Sequence, residues 1–257
     1  MFAQTVLSIW LVGALARAGV APPHQLSASQ IPLYGLGGEP NEFDVNQALT
    51  PDCWLEATLA AVVRINSKTI TQMLHDNGDG TVTVSLYDPL TLLAVNPPSK
   101  VKKLQFSQMQ QADTSTTTWV QVIQDALNPL VNGSIFNGRG NLPQLALSAI
   151  YGEAGVYSTC DQLLSLASRA AASPMIFVTD AKKAGPLVQD HAYTLENTIE
   201  LDSGTGVRMR NPWGDKTSLG HGELDASNVT AQAQCVYIAH LTSVPASRDA
   251  PCNETNL

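Results

Sequence analysis

The sequence predicts an α+β fold, with a mainly helical first half packed against a β-rich second half and a cleft between them. Three observations predict it. Apolar residues recur at helical spacing from about 53 to 172, with one strand-like interruption. From 174 onward the runs "PMIFVT", "HAYTLENTIEL", "GVRMRN" and "QCVYIAHL" are strand-like, separated by Gly, Asp and Ser turns. The 257 residues, 44% hydrophobic, suffice for one large domain or two small ones with a sizeable core. The boundaries read from this pattern are 1–18 for a leader, 19–155 for the helical part and 156–257 for the β-rich part.

The elements follow in chain order. "TVLSIWLVGALA" (5–16) is an apolar run too short to span a bilayer comfortably, and Ala16-Arg17-Ala18 completes an A-x-A cleavage pattern. A secretory signal is expected there, although the preceding "MFAQ" carries no Lys or Arg. Sequons at Asn132, Asn228 and Asn253 agree with a secreted, extracellular glycoprotein. Residues 19–45, rich in Pro, Gly and Ser, read as an irregular lead-in. Gly35-Leu-Gly-Gly38 has no preceding strand and no P-loop lysine, so it is not a phosphate site.

From Cys53 to about Ile65 the pattern is helical and apolar nearly all round, as in a buried helix. In "DNGDGTVTVSLYDP" the alternating Val82, Val84 and Leu86 predict a strand after a Gly-rich turn. The turn lacks the alternating acids and closing Glu of an EF-hand. "TWVQVIQDALNPLV" (118–131) predicts a helix that Pro129 kinks or ends. "NLPQLALSAI" (141–150) predicts another, with Asn141 as its cap, and one more is expected at about 160–172.

The net charge of −8 becomes −9 once residues 1–18, which hold Arg17 and no acid, are removed. That balance argues against nucleic-acid binding, which needs clustered Lys and Arg. The nearest cluster, "KVKK" (100–103), reads as a solvated loop. No later run is apolar enough for a membrane helix, so no membrane association is expected after signal cleavage, and the chain should be a monomer. None of the four cysteines (53, 160, 235 and 252) forms C-x-x-C and there is no H-E-x-x-H, so a zinc site is not expected. With Cys53 kept as a thiol, one disulfide and one leftover remain. Cys235–Cys252 is the preferred pair, and the spacing alone leaves the pairing open. Cys160 and Cys235 lie in apolar patterns and read as structural.

Cys53 stands at the head of a helix, after Thr-Pro-Asp. Helix N-termini carry unpaired N–H groups and partial positive charge, and both stabilise a nucleophilic thiolate. Far downstream, His191 opens a strand and Asn211 lies 20 residues later in "RNPWG". A strand, a turn and a return strand can bring the two side by side. The order Cys, His, Asn suits a thiol protease: the imidazole holds the thiol proton, and Asn orients the imidazole. Trp213 could shield that bond from water. His24, His75, His221 and His240 lack such a context and read as surface or packing residues. Asp52 and Glu56 read as solvated or capping.

These residues resemble the calpain-like cysteine proteases, whose core carries Q-x-x-x-x-x-C-W, then H-A-Y, then N-P-W-G. This chain has Gln47, Cys53-Trp54, His191-Ala-Tyr193 and Asn211-Pro-Trp-Gly214. "TWVQVIQDALNPLVNGS" also resembles the family's Trp-initiated helix. The resemblance covers roughly residues 40–245. It implies a papain-like calpain core with Cys53 as nucleophile, His191 as general base and acid, and Asn211 as orienter. Gln47 would join the Cys53 N–H in the oxyanion hole. Two departures stand out. Pro51 replaces the usual Gly two before the cysteine, and "DKTSLGHGELDAS" replaces the Trp-rich stretch after NPWG.

The function expected is a secreted cysteine endopeptidase acting on protein or peptide substrates. A transglutaminase-type acyl transferase and a non-catalytic binding protein with the same fold are the alternatives. No cofactor is expected to be required. Calcium remains possible, although Asp76, Asp79, Asp215, Glu223 and Asp225 are too scattered to suggest a cage.

Overall fold

The computed structural model describes residues 32–238, except 36, 48–49, 104–116, 137–139, 159–161 and 215–221. The expected leader, Cys160, Cys252, Asn253, His24, His221, His240 and Asp215 lie outside the described residues, as does the Cys235 side chain. The preferred disulfide therefore does too.

The central element is helix α1 (Cys53–Ile65), buried along almost its whole length. Its Ala-rich sequence favours a helix, and the Asp52 backbone carbonyl fixes its start, accepting from the Leu55 and Glu56 N–H groups at 2.8 and 3.0 Å. Asn66 ends α1 and caps α2 (Ser67–Met73) by accepting from the Lys68 N–H. Trp54, Leu55, Leu59, Val62 and Val63 of α1 form the main core with Trp119, Ile123, Leu147 and Ile150.

Those partners come from α3 (Trp119–Leu127) and α4 (Pro143–Tyr151). Pro129 ends α3 as expected, in a 3-10 turn over Asn128–Val131 that closes on Asn132 at φ +56. Asn141 is not the cap of α4. Pro143 occupies the first turn, and the Asn141 side chain instead donates to Ser134 Oγ at 2.9 Å. Gly152 closes α4 at φ +70, where a Cβ would come within 2.7 Å of the Tyr87 ring.

The first half is less purely helical than its periodicity suggests. β1 (Leu74–Asp76), β2 (Thr81–Val84) and β3 (Ser99–Lys102) form a three-stranded antiparallel sheet. β2 alternates clearly, with Val82 and Val84 buried. The "KVKK" run is not a solvated loop. It is β3 and its exit, where Lys100 pairs with Asp79 at 3.1 Å and Lys103, only 3% exposed, pairs with Asp76 at 3.0 Å.

The second half builds a six-stranded sheet in the order β4-β9-β5-β6-β7-β8. Its strands are β4 (Val156–Ser158), β5 (Met175–Thr179), β6 (Ala192–Leu201), β7 (Gly204–Arg210), β8 (Gly222–Asp225) and β9 (Ala233–Ile238). The short β4 and β8, and helix α6 (Ala226–Gln232), carry too little periodicity to be read from sequence. The expected helix near 160–172 shrinks to α5 (Leu163–Ala167).

Alternation divides the sheet between two cores. Ile176, Val178, Ala192 and Tyr237 face the α1 cluster. Met175, Phe177, Tyr193, Leu195, Val236 and Ile238 face a second cluster with Leu163, Leu166 and Val229. The Thr194 hydroxyl donates to the Ala57 carbonyl at 2.7 Å, fastening α1 to β6. That fastening places the head of α1 at the start of β6.

Candidate active site

Cys53 is the first residue of α1, partly buried, and is a free thiol. The backbone N–H groups of Ala192 and Trp54 reach its sulfur. Because Ala192 opens β6, the thiol lies beside the residue that follows His191. The helix head alone does not make it a thiolate. Burial first, with the negative charges of Asp52 and Asp190, pushes the thiol up to about 12, outweighing both N–H groups. Burial therefore favours the neutral thiol over the thiolate at Cys53.

The hairpin β6–β7 explains the next pair. Thr194 lies opposite Arg210, so continuing the register brings the residues before β6 alongside those after β7. His191 and Asn211 meet there, Nε2 to Oδ1 at 3.0 Å, both buried. An amide oxygen accepts only, so His191 Nε2 carries the hydrogen and Nδ1 is left as the basic nitrogen. Asn211 Oδ1 also accepts from the Trp213 N–H at 3.0 Å. The Trp213 ring lies 4.7 Å from the imidazole, tilted 46°. The Tyr193 ring meets the imidazole edge-on at 4.9 Å, and its hydroxyl accepts from the Val188 N–H.

The chain enters His191 through Asp190, held at φ +51, a left-handed conformation that Asp tolerates better than most residues. The His191 N–H donates to Thr179 Oγ1 at 2.9 Å. Thr179 sits where the β5–β9 register shifts, so a strand irregularity anchors the histidine. Burial lowers the pKa of His191, against the raising effects of the Asn211 bond and the Asp190 charge. Burial thus favours the neutral form of both the Cys53 thiol and the His191 imidazole.

Gln47 approaches from the lead-in. Its N–H donates to the Pro212 carbonyl at 2.8 Å, so it is tied to the loop that carries Asn211. Gly214 permits this close approach. It sits at φ +75, and a Cβ there would lie 2.1 Å from Asn46 Oδ1. The Gln47 side-chain amide points at Thr50 O, 2.5 Å away, and Asp52 Oδ1, 3.3 Å away.

Two participants were not singled out from the sequence, Arg210 and Gln124. Arg210, almost fully buried, donates to the Val45 carbonyl at 2.8 Å and lies 5.3 Å from the Phe43 ring centre. It pins the lead-in to β7, one residue before Asn211. Gln124 of α3 donates to Asp52 Oδ2 at 2.6 Å and to Glu56 Oε1 at 3.1 Å. Asp52 and Glu56 are therefore neither solvated nor capping. Both are fully buried, and Asp52 makes no side-chain cap bond. The only sequence signal was an acid on an otherwise apolar helix.

A family model described as calpain family cysteine protease matches residues 22–223. The chain belongs to the calpain family of cysteine proteases. No curated protein sequence matches it. As a member of that family the protein is a thiol protease with an α+β core. Residues 22–223 hold the lead-in that carries Gln47, helix α1 and the whole β6–β7 hairpin. The match therefore spans every group described above.

Proposed function

We propose that this calpain-family peptidase is a secreted endopeptidase that cleaves peptide bonds with Cys53, His191 and Asn211. The buried His191–Asn211 bond at 3.0 Å is the observation that carries the reading. In this mechanism Asn211 holds the Nε2–H tautomer, so Nδ1 takes the Cys53 proton as sulfur attacks the substrate carbonyl carbon. The carbonyl π pair moves onto oxygen. The N–H of Cys53, which has no intrahelical acceptor at the first position of α1, and the Gln47 amide receive that charge. The intermediate collapses as the C–N bond breaks, and the imidazolium returns its proton to the leaving amine. Water, deprotonated by the same imidazole, then releases the acyl group and regenerates the thiol.

Trp213 covers the imidazole and excludes water from the orienting bond. Secretion is supported by the exposed positions of Asn132 and Asn228, both in glycosylation sequons.

Calcium is not required in this reading. The carboxylates nearest to a calcium loop are already engaged. Asp76 accepts from the Gly78 N–H and pairs with Lys103, while Asp79 accepts from the Thr81 N–H and pairs with Lys100. Glu223 pairs with Arg208, and Asp225 caps α6 and accepts from Ser203. A calcium ion needs six to eight oxygens, and a site of this kind would have to displace two lysines.

The test is labelling with a thiol-directed peptide epoxide, with excess chelator and with added calcium. Modification at Cys53 in both conditions is expected, together with hydrolysis of a protein substrate. Failure to label marks a binding protein. Labelling with amine incorporation instead of hydrolysis marks an acyl transferase. A tenfold or greater loss on chelation that calcium restores marks a retained calcium switch.

A further inference from the structure

We propose that Asp52 and Gln124 are positioning residues that aim the Gln47 amide at the substrate carbonyl oxygen. This rests on the endopeptidase reading above and deepens it.

The Asp52 carboxylate sits between two side-chain amides. Oδ2 accepts from Gln124 Nε2 at 2.6 Å, and Oδ1 lies 3.3 Å from Gln47 Nε2. Both amide orientations are fixed by chemistry, because each NH2 group faces acceptors only. For Gln124 these are Asp52 and Glu56; for Gln47 they are Asp52 and the Thr50 carbonyl. All four side chains are buried. Only a carboxylate presents two acceptor oxygens here. Asn would turn its own NH2 toward one of the two amide NH2 groups.

The bonds to Gln47 differ in length. Thr50 O takes one amide hydrogen at 2.5 Å, and Asp52 holds the other loosely at 3.3 Å. The second hydrogen is thus oriented without being fully engaged, and an incoming oxyanion can share it. Among the described residues Gln47 Oε1 makes no hydrogen bond, and the contacts that orient the amide plane are those of Nε2. Without Asp52, the contact with Thr50 would leave that plane free to turn. Gln124 keeps Asp52 in place from α3, across the core.

The same carboxylate acts against the nucleophile, since its charge raises the Cys53 thiol. Aim and reactivity therefore respond to Asp52 with opposite signs. A residue that merely supports the fold would move both in the same direction.

The experiment compares wild type with Asp52→Asn, Gln124→Met, Gln47→Ala and the double variant D52N/Q47A. Iodoacetamide reads the thiol alone, because the S–C bond forms as iodide leaves and no oxyanion develops. A peptide aldehyde reads the oxyanion site, because sulfur adds to its carbonyl carbon and the thiol proton ends on the former carbonyl oxygen. For D52N, alkylation of Cys53 is expected to rise at least about twofold. Aldehyde affinity and kcat are expected to fall about tenfold with KM little changed, short of the roughly hundredfold or greater loss from deleting an oxyanion donor. Gln124→Met should reproduce the loss of aldehyde affinity, and it serves as the test should D52N fail to fold. In the Q47A background, D52N should cost no further aldehyde affinity.

Three results overturn the proposal: D52N raising both alkylation and kcat, D52N lowering both together, or D52N losing as much aldehyde affinity in Q47A as in wild type. A wild-type protein whose Cys53 takes the epoxide but not the aldehyde loses the oxyanion role of Gln47 and this proposal with it. One that takes neither loses the endopeptidase reading itself.

Discussion

A thiol raised to about 12 makes a measurable claim about the resting enzyme. A histidine beside a cysteine can draw its proton and leave a thiolate–imidazolium pair, whereas here burial and two nearby carboxylates favour the neutral thiol, and burial the neutral imidazole. The perturbation is pH, and the probe is iodoacetamide. At pH 7 a thiol with the ordinary value of 9.0 is about 1% ionised, and one at about 12 is about a thousandfold less so. A more basic thiolate is the better nucleophile, which recovers about 15- to 30-fold for a Brønsted slope of 0.4–0.5. Folded Cys53 should therefore react about 30 to 60 times more slowly at pH 7 than the same residue in urea-unfolded chain.

The assay is a pseudo-first-order time course with mass spectrometry of the peptide that carries Cys53, which separates it from the other cysteines. The folded rate should climb steadily from pH 6 to 10. Faster reaction in the folded protein, with a rate that stays flat down to pH 5, would refute the reasoning. It would mean that the imidazole holds the thiol proton before substrate arrives.

Other expectations follow from the same contacts. Asn211→Ala removes the acceptor of the His191 Nε2–H and should lower kcat by about a hundredfold or more, leaving KM nearly unchanged in steady-state assays. Gly214→Ala places a Cβ against Asn46 at a left-handed φ, so Tm should fall by an amount equivalent to at least about 1–2 kcal/mol, with a parallel loss of activity. Arg210→Ala should destabilise by about 3 kcal/mol in urea titration, because a buried cation and its bond to Val45 O are both lost. Unfolding returns His191 to its ordinary 6.5, so the unfolded chain takes up the proton first and stability falls as pH drops below about 6.5. His191→Gln should blunt that acid loss in thermal melts at pH 5 and 7.

The parts of the fold with strong periodicity were legible from the residues. α1 announced itself by an unbroken apolar run, and the β6–β7 hairpin by two alternating runs on either side of Asp-Ser-Gly. What escaped was short or held by partners far along the chain. β1 and β3 are three and four residues long and owe their register to β2. α6 depends on the Asp225 cap more than on an apolar stripe.

The site divides in the same way. His191 and Asn211 are separated by one hairpin, so their meeting follows from local pairing. The polar groups behind Cys53 do not. Gln124 lies 72 residues from Asp52, on a helix whose apolar spacing gave no hint of a buried amide facing Asp52 and Glu56. An acid beside a cysteine near a helix start also looks like a cap, and only the absence of a side-chain cap bond excludes that role. The state of the thiol was hidden for a related reason. The helix head supplies N–H groups that sequence can anticipate, whereas desolvation and the charges of Asp52 and Asp190 depend on how β6 closes over it.

Gln47 connects these observations. Its backbone is tied to Pro212, next to Asn211, and its side chain is tied to Asp52, next to Cys53. Arg210 holds the same lead-in at Val45. A displacement of residues 45–47 would therefore shift the Gln47 amide relative to both Asn211 and Cys53. Pro51, between Gln47 and Asp52, has no N–H to offer this segment. The Gln47 side chain is oriented by acceptors, the Thr50 carbonyl and the Asp52 carboxylate that Gln124 holds from α3.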